Sequence, residues 1–310
     1  MTSSVPGKWL LAGLCALALA APASAQTLAD AEGQDQPPGE LVPPTSAVDF
    51  TAAQLDTVLA GDWRSAAERA RDRYRHPKQT LEFFGVQPDQ TVVEITPGGG
   101  WYADVFAPLL RDNGQYIAAV AAPAPGKAAD DTLKQKFAAA PAVYGDARVV
   151  TFDPKAPVFG PPGSADTVLT FRNVHNWVQA GTAPAMFKGF FKVLRPGGVL
   201  GVVDHRAAAG VSLDVAEGSG YLPVAAVVKL ATDAGFELEE SSEINANPAD
   251  TKDYPKGVWT LPPTLTLGDT GRAKYLAIGE SDRMTLRFVK PEGPAPAASV
   301  PSPAKAASSL

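Results

Sequence analysis

Val92-Val93-Glu94-Ile95-Thr96-Pro97-Gly98-Gly99-Gly100-Trp101-Tyr102 is the stretch that decides the fold. A β-branched run ends at an acidic residue, and a proline and three glycines follow. An amphipathic pattern then begins, with Val105, Phe106, Leu109 and Leu110 on one side. That order predicts a strand, a tight turn and a helix. Glycine adopts positive φ without steric cost and carries no Cβ, so a ligand can lie against bare backbone at the turn. The helix behind it offers unpaired N–H groups and the positive end of its dipole. The loop lacks the G-x-G-x-x-G spacing of a dinucleotide-binding turn, so alone it points to a ligand without naming one.

Outward from the loop, strands and helices alternate. Val92–Ile95, Tyr116–Val120, Arg148–Phe152, Thr167–Phe171, Val199–Val203, Glu237–Ser241 and Met284–Val289 read as seven short strands. Between them lie helical patterns at Trp101–Arg111, Thr132–Ala139, Ala185–Leu194 and Pro223–Ala234, the last stopped by Gly235. Upstream, Asp49–Tyr74 reads as one or two helices bearing a stripe of arginines (Arg64, Arg69, Arg71, Arg73, Arg75), and Lys78–Phe84 as a further short one. Such a stripe is expected to be a solvated face. The fold class is α/β: a Rossmann-like, seven-stranded, mostly parallel sheet with helices on both faces. Ligands of such sheets sit beyond the carboxyl ends of the strands. That places Glu94 to Gly100, Asp153, Arg172 to Trp177, and Asp204-His205-Arg206 at the candidate site.

Residues 1–25 read as a secretory signal peptide: Lys8, an apolar run from Trp9 to Ala21, and a small-residue cleavage site at Ala23-Ser24-Ala25. The run is short for a membrane span. Its removal takes away Cys15, the only cysteine. The 27 basic residues less Lys8 leave 26 against 33 acidic ones, a formal charge of −7. A mature chain of that kind has no disulfide and no thiolate chemistry, and its mild acidity argues against a nucleic-acid partner. Residues 26–47 are expected to be a flexible linker, 48–290 a single domain, and 291–310 a disordered Pro/Ala-rich tail. The expected location is periplasmic or secreted, with no membrane contact by the mature form. The oligomeric state is left open.

Val-Glu-Ile-x-Pro-Gly-Gly-Gly at 93–100, Asp153 after the third strand and Leu-Arg-Pro-Gly-Gly-Val-Leu at 194–200 together resemble the class I S-adenosylmethionine-dependent methyltransferases. Phe-Arg-Asn-x-His-Asn-Trp at 171–177, Ala-Asn-Pro-Ala-Asp at 246–250 and the segment from Asp282 to Pro291 are similar to a narrower group of exported bacterial predicted methyltransferases. The resemblance covers most of 50–291 and implies S-adenosylmethionine as cofactor and a small molecule as acceptor. It implies that Glu94, Pro97, Gly98, Gly99 and Gly100 run along the methionine and ribose, that Asp153 lies near the adenine, and that the segment Arg172–His175, with Arg172 and Asn173 as cofactor contacts, approaches the reactive end. Two departures stand out. Pro97 replaces a glycine common in the family loop, and the second strand ends Val120-Ala121-Ala122-Pro123 where most relatives carry an acid for the ribose hydroxyls.

Two of the three histidines, His175 and His205, follow strands that are neighbours in the family, so either can serve as general base with Asp204 orienting the imidazole. A metal site from His175, His205, Asp204 and His76 has suitable chemistry, but no tight spacing such as His-x-x-x-His is present and no metal is expected. Trp101, Tyr102, Trp177 and Tyr221 are candidate pocket walls, and the long Asn245–Gly279 connection a candidate lid. A binding or accessory protein that kept the fold and lost the cofactor is the alternative. A nicotinamide oxidoreductase fits poorly, because the loop spacing is wrong.

Overall fold

The computed structural model describes residues 47–124, 126–216 and 218–293. The signal peptide, the linker up to residue 46 and the tail from residue 294 lie outside the described residues. In chain order the elements are α1 (Ala47–Leu59), α2 (Ala66–Arg69), α3 (Asp72–Arg75), α4 (Pro77–Phe84), β1 (Thr91–Ile95), α5 (Ala103–Leu110), β2 (Gln115–Ala121), α6 (Thr132–Ala139), α7 (Pro141–Tyr144), β3 (Arg148–Phe152) and β4 (Ala165–Phe171). Then follow α8 (Val174–Gln179), α9 (Ala183–Val193), β5 (Leu194–His205), α10 (Leu213–Ala216), α11 (Val224–Asp233), β6 (Glu237–Ser242), a 3-10 turn at Gly257–Thr260, α12 (Arg272–Ile278) and β7 (Arg283–Val289). Among the described residues no helix is long and apolar enough to cross a membrane.

The seven strands form one sheet in the order β3-β2-β1-β4-β5-β7-β6. β1 pairs in parallel with β2 and β4, β2 with β3, and β4 with β5, whereas β7 runs antiparallel between β5 and β6. The sheet switches direction of winding between β1 and β4, and the glycine loop leaves β1 at that point. Alternating residues feed the two faces, as the pleat requires. Val93, Ile95 and Val168 join the layer under α8, α9 and α11, while Val92 and Leu169 join the layer under α1, α4 and α5.

Three local differences separate the expected elements from the observed ones. Asp49–Tyr74 is three helices, because Gly61-Asp62-Trp63 interrupts the run and Ser65 starts a new helix with a capping box to Glu68. The Arg195-Pro196-Gly197-Gly198 turn is absorbed into a long β5, at the cost of a register shift against Ala165 and Thr167. Between β4 and the helical pattern at Ala185, where no helix is expected, the chain coils at once into α8, which carries His175.

Candidate functional site

Two cavities meet across the glycine loop and share Thr96, Pro97 and Gly98. The first, of about 290 Å³, is also lined by Arg71, Arg75, Glu94, Tyr102 and Arg172. The second, of about 170 Å³, lies at the ends of β1, β2 and β3 against Val120, Ala121, Leu133 and Thr151, with Asp130 and Asp131 on its rim. Gly98 sits at φ +58°, and a Cβ built on it would meet no protein atom within 4 Å, so its backbone faces the open cleft. Gly100, at φ +82°, serves packing instead: a Cβ there would lie 2.7 Å from Leu133. Thr96 and Arg172, which follow β1 and β4, both hold the left-handed conformation rare for such residues, and their N–H groups hook back to Ala119 O at 2.8 Å and Val203 O at 2.7 Å. Backbone strain of this kind, on both sides of one cavity, is the kind that ligand sites hold.

The stripe is solvated only in part: Arg69 and Arg73 are exposed and Arg71 is half-buried, whereas Arg64 and Arg75 are buried. Arg64 is fully buried, paired with Asp72 at 2.6 Å, and Arg75 is 6% exposed. Both guanidinium groups lie over Trp101, at 5.2 and 4.5 Å from its ring centroid. Glu280, at the far end of the chain, pairs with Arg71 at 2.7 Å and with Arg75 and Arg283 at 3.2 Å each. Burial pushes its carboxyl up, yet Arg75, Arg283, Arg71 and Arg172 together pull it down to about 2. One carboxylate serves several arginines, and Nη2 of Arg75 is buried with no hydrogen-bond partner. The cavity therefore carries a positive excess suited to an anionic group of a ligand.

Glu94, on the same wall, accepts a hydrogen bond from Tyr116 Oη at 2.6 Å. Burial raises its carboxyl to about 7, against the opposing pull of Tyr116 and Arg75. An acid that is harder to ionise in the fold than in the unfolded chain gives stability that is full below its ordinary value of 4.5 and is lost as pH rises toward 7. Glu94→Gln, which keeps an acceptor for Tyr116, is therefore expected to flatten the decline between those pH values. Urea titration at pH 8 should find the variant more stable than the parent by up to roughly 3 kcal/mol.

Beyond β4 and β5, Asp204 is fully buried and accepts three hydrogen bonds: from His175 Nδ1 at 2.8 Å, from the His175 backbone N–H at 3.2 Å and from the His205 backbone N–H at 2.7 Å. That arrangement sets the imidazole of His175 with Nδ1 toward the carboxylate and Nε2 free to accept a proton. His205 is held by Ser281 Oγ at 2.5 Å from its Nδ1. Burial, then the neighbouring His175, Arg172, Arg283 and Arg75, push its pKa well below the ordinary value, so it stays neutral. The two rings lie 4.9 Å apart between centroids, and the Trp259 ring stands edge-on to His175 at 6.0 Å.

Of the residues singled out in the sequence, Glu94, Pro97, Gly98, Gly99, Arg172 and Asn173 line the first cavity, as do Trp101 and Tyr102. Asn173 gives its amide N–H groups to Ile95 O at 3.0 Å and Thr170 Oγ1 at 3.1 Å, so it ties the end of β1 to β4. Asp153 lines neither cavity and accepts from the Lys155 backbone N–H at 2.9 Å, closing a turn. Trp177 is core, packed on Phe190 at 5.6 Å. Tyr221 donates to Asp250 at 3.0 Å and so braces the long connection. Residues the sequence reading missed are Glu280, Ser281 and Trp259, all distant in the chain. The signal for Glu280 was the excess of arginines upstream, which needed a buried acid.

No family model and no curated protein matches the sequence. Solved structures do share the fold. A protein from Galdieria sulphuraria assigned as a sarcosine dimethylglycine methyltransferase is 14% identical, covering 72% of this chain and 85% of that one with a TM-score of 0.50. A SAM-dependent methyltransferase from Aquifex aeolicus is 11% identical over 77% of this chain and 98% of that one, with a TM-score of 0.48. The [4+2]-cyclase SpnF is 16% identical over 80% and 97%, with a TM-score of 0.49. At such identities the likeness shows the fold alone, a Rossmann-like, mostly parallel seven-stranded sheet.

Proposed function

We propose that the chain is an S-adenosylmethionine-dependent methyltransferase acting on a small molecule. The observation that carries this reading is the divided cleft across Gly98. Its larger half pairs arginines with carboxylates and so complements a zwitterionic amino acid: Arg75 and Arg172 for the carboxylate, Glu94 and Glu68 for the ammonium group. Its smaller half has apolar walls with Asp130 and Asp131 at the rim, which suits a nucleoside and offers hydroxyl acceptors beside the alanines that end β2. A methionyl nucleoside spans both. The likeness to methyltransferase structures accords with this, although fold alone does not establish activity.

When bound, S-adenosylmethionine supplies the methyl group. The chain's own residues bind and orient: Gly98 leaves the backbone open, Arg75 and Arg172 fix the carboxylate, and Tyr102 and Phe171, stacked at 3.7 Å, form an apolar wall. His175 is the base, taking the acceptor's proton at Nε2 while Asp204 stabilises the resulting imidazolium.

Calorimetric titration of the full chain with S-adenosylmethionine and S-adenosylhomocysteine tests this. Saturable one-to-one binding is expected for both, and no heat at millimolar ligand would overturn the reading. Gly98→Val is expected to weaken binding at least 100-fold, since the side chain would project into the cleft. Its cost to stability should stay near 1–3 kcal/mol, because only backbone strain opposes it.

A further inference from the structure

We propose that His175, Asp204 and His205 bind a divalent transition-metal ion of the zinc type, through one nitrogen of each imidazole and one oxygen of Asp204. Candidate ligand atoms of the three residues all lie within 4.8 Å of one another, and all three residues are buried. Adjacent parallel strands deliver them: Asp204 and His205 end β5, and His175 opens α8 directly after β4. Their spacing is therefore set by the sheet rather than by loose loops.

The chemistry of the set is selective. Two imidazoles and a carboxylate suit zinc, nickel or iron(II), whereas magnesium and calcium favour oxygen ligands alone. Bonds of about 2.0–2.2 Å would place ligand atoms some 3.3–3.6 Å apart around a tetrahedral ion. Reaching that spacing closes the widest pair from as much as 4.8 Å and opens the hydrogen bond between His175 Nδ1 and Asp204 from 2.8 Å. Outer partners are already present, as ligating groups require: Ser281 Oγ holds His205, and two backbone N–H groups hold Asp204. With an ion in place, His175 and Asp204 are ligands and no longer a base and its partner, so metal would block the proton transfer assigned to His175, and this consequence alone rests on the functional reading above.

The test uses untagged full chain stripped with a chelator. It is titrated with zinc chloride by calorimetry, and with cobalt(II) by visible absorption. One equivalent of zinc is expected to bind at micromolar or tighter Kd, and cobalt to develop d–d bands of a low-coordinate nitrogen–oxygen site. His175→Gln and His205→Gln should each weaken binding about 100-fold or more, while His76→Gln binds like the parent. A parent that takes up no stoichiometric metal, or undiminished binding in both of the first two variants, would overturn the proposal. Should either variant fail to fold by circular dichroism, the cobalt spectrum of the parent decides. Metal uptake is read without S-adenosylmethionine, so this result and the cofactor titration fail independently.

Discussion

Glu280→Ala is expected to cost about 3–5 kcal/mol of stability, the largest loss of any single change considered for this chain. The carboxylate is 3% exposed and is the common partner of Arg71, Arg75 and Arg283. Deleting it leaves like charges buried together with their compensation gone. Arg75→Met in the same background should recover part of the loss, because it removes one of the stranded cations. The pH dependence has a definite sign. Glu280 ionises at about 2 in the fold against an ordinary 4.5, so its contribution is present above pH 4.5 and disappears as pH falls toward 2. Denaturant titrations from pH 2 to 7 should show that acid-side slope in the parent and a shallower one in Glu280→Gln. Equal slopes would mean the carboxylate is not held by the arginines.

Asp204→Asn is expected to remove turnover by two to four orders of magnitude while leaving cofactor affinity within a few-fold of the parent. The carboxylate accepts from His175 Nδ1 and from two backbone N–H groups. An amide has one oxygen, so its NH₂ must face one of those donors. The substitution then either turns His175 to the wrong tautomer or leaves a buried N–H unpaired, at about 1–3 kcal/mol. Steady-state kinetics beside calorimetry separates the outcomes: loss of kcat with binding intact supports His175 as base. Unchanged kcat would move that role elsewhere.

Much of the architecture was legible because it rests on local signals. The glycine loop and the alternation of short apolar strands with amphipathic helices each act within a dozen residues, and the observed sheet follows them. What was not legible depends on pairing across the chain. The arginine stripe looks solvated throughout when read along the chain, yet Arg71 and Arg75 turn inward because Glu280 arrives 209 and 205 residues later. Asp153 follows β3 as expected, but the chain turns there and the carboxylate closes that turn. His175 and Asp204 could be placed near each other from strand adjacency, whereas their hydrogen bond, and the Ser281 contact that distinguishes His205, required coordinates.

The order of the strands has a consequence for synthesis. β7 is the last strand to be made, yet it lies inside the sheet, between β5 and β6. Until it docks, β6 has no neighbour, and the arginines of the N-terminal helices wait for the carboxylate just ahead of β7. A nascent chain can assemble its core from β1 to β5 while Arg71 and Arg75 still lack their carboxylate. The charge balance of Arg71 and Arg75 beside the cleft is thereby coupled to synthesis of the segment around residue 280, and a chain cut before it would keep β1 to β5 with those cations unpaired.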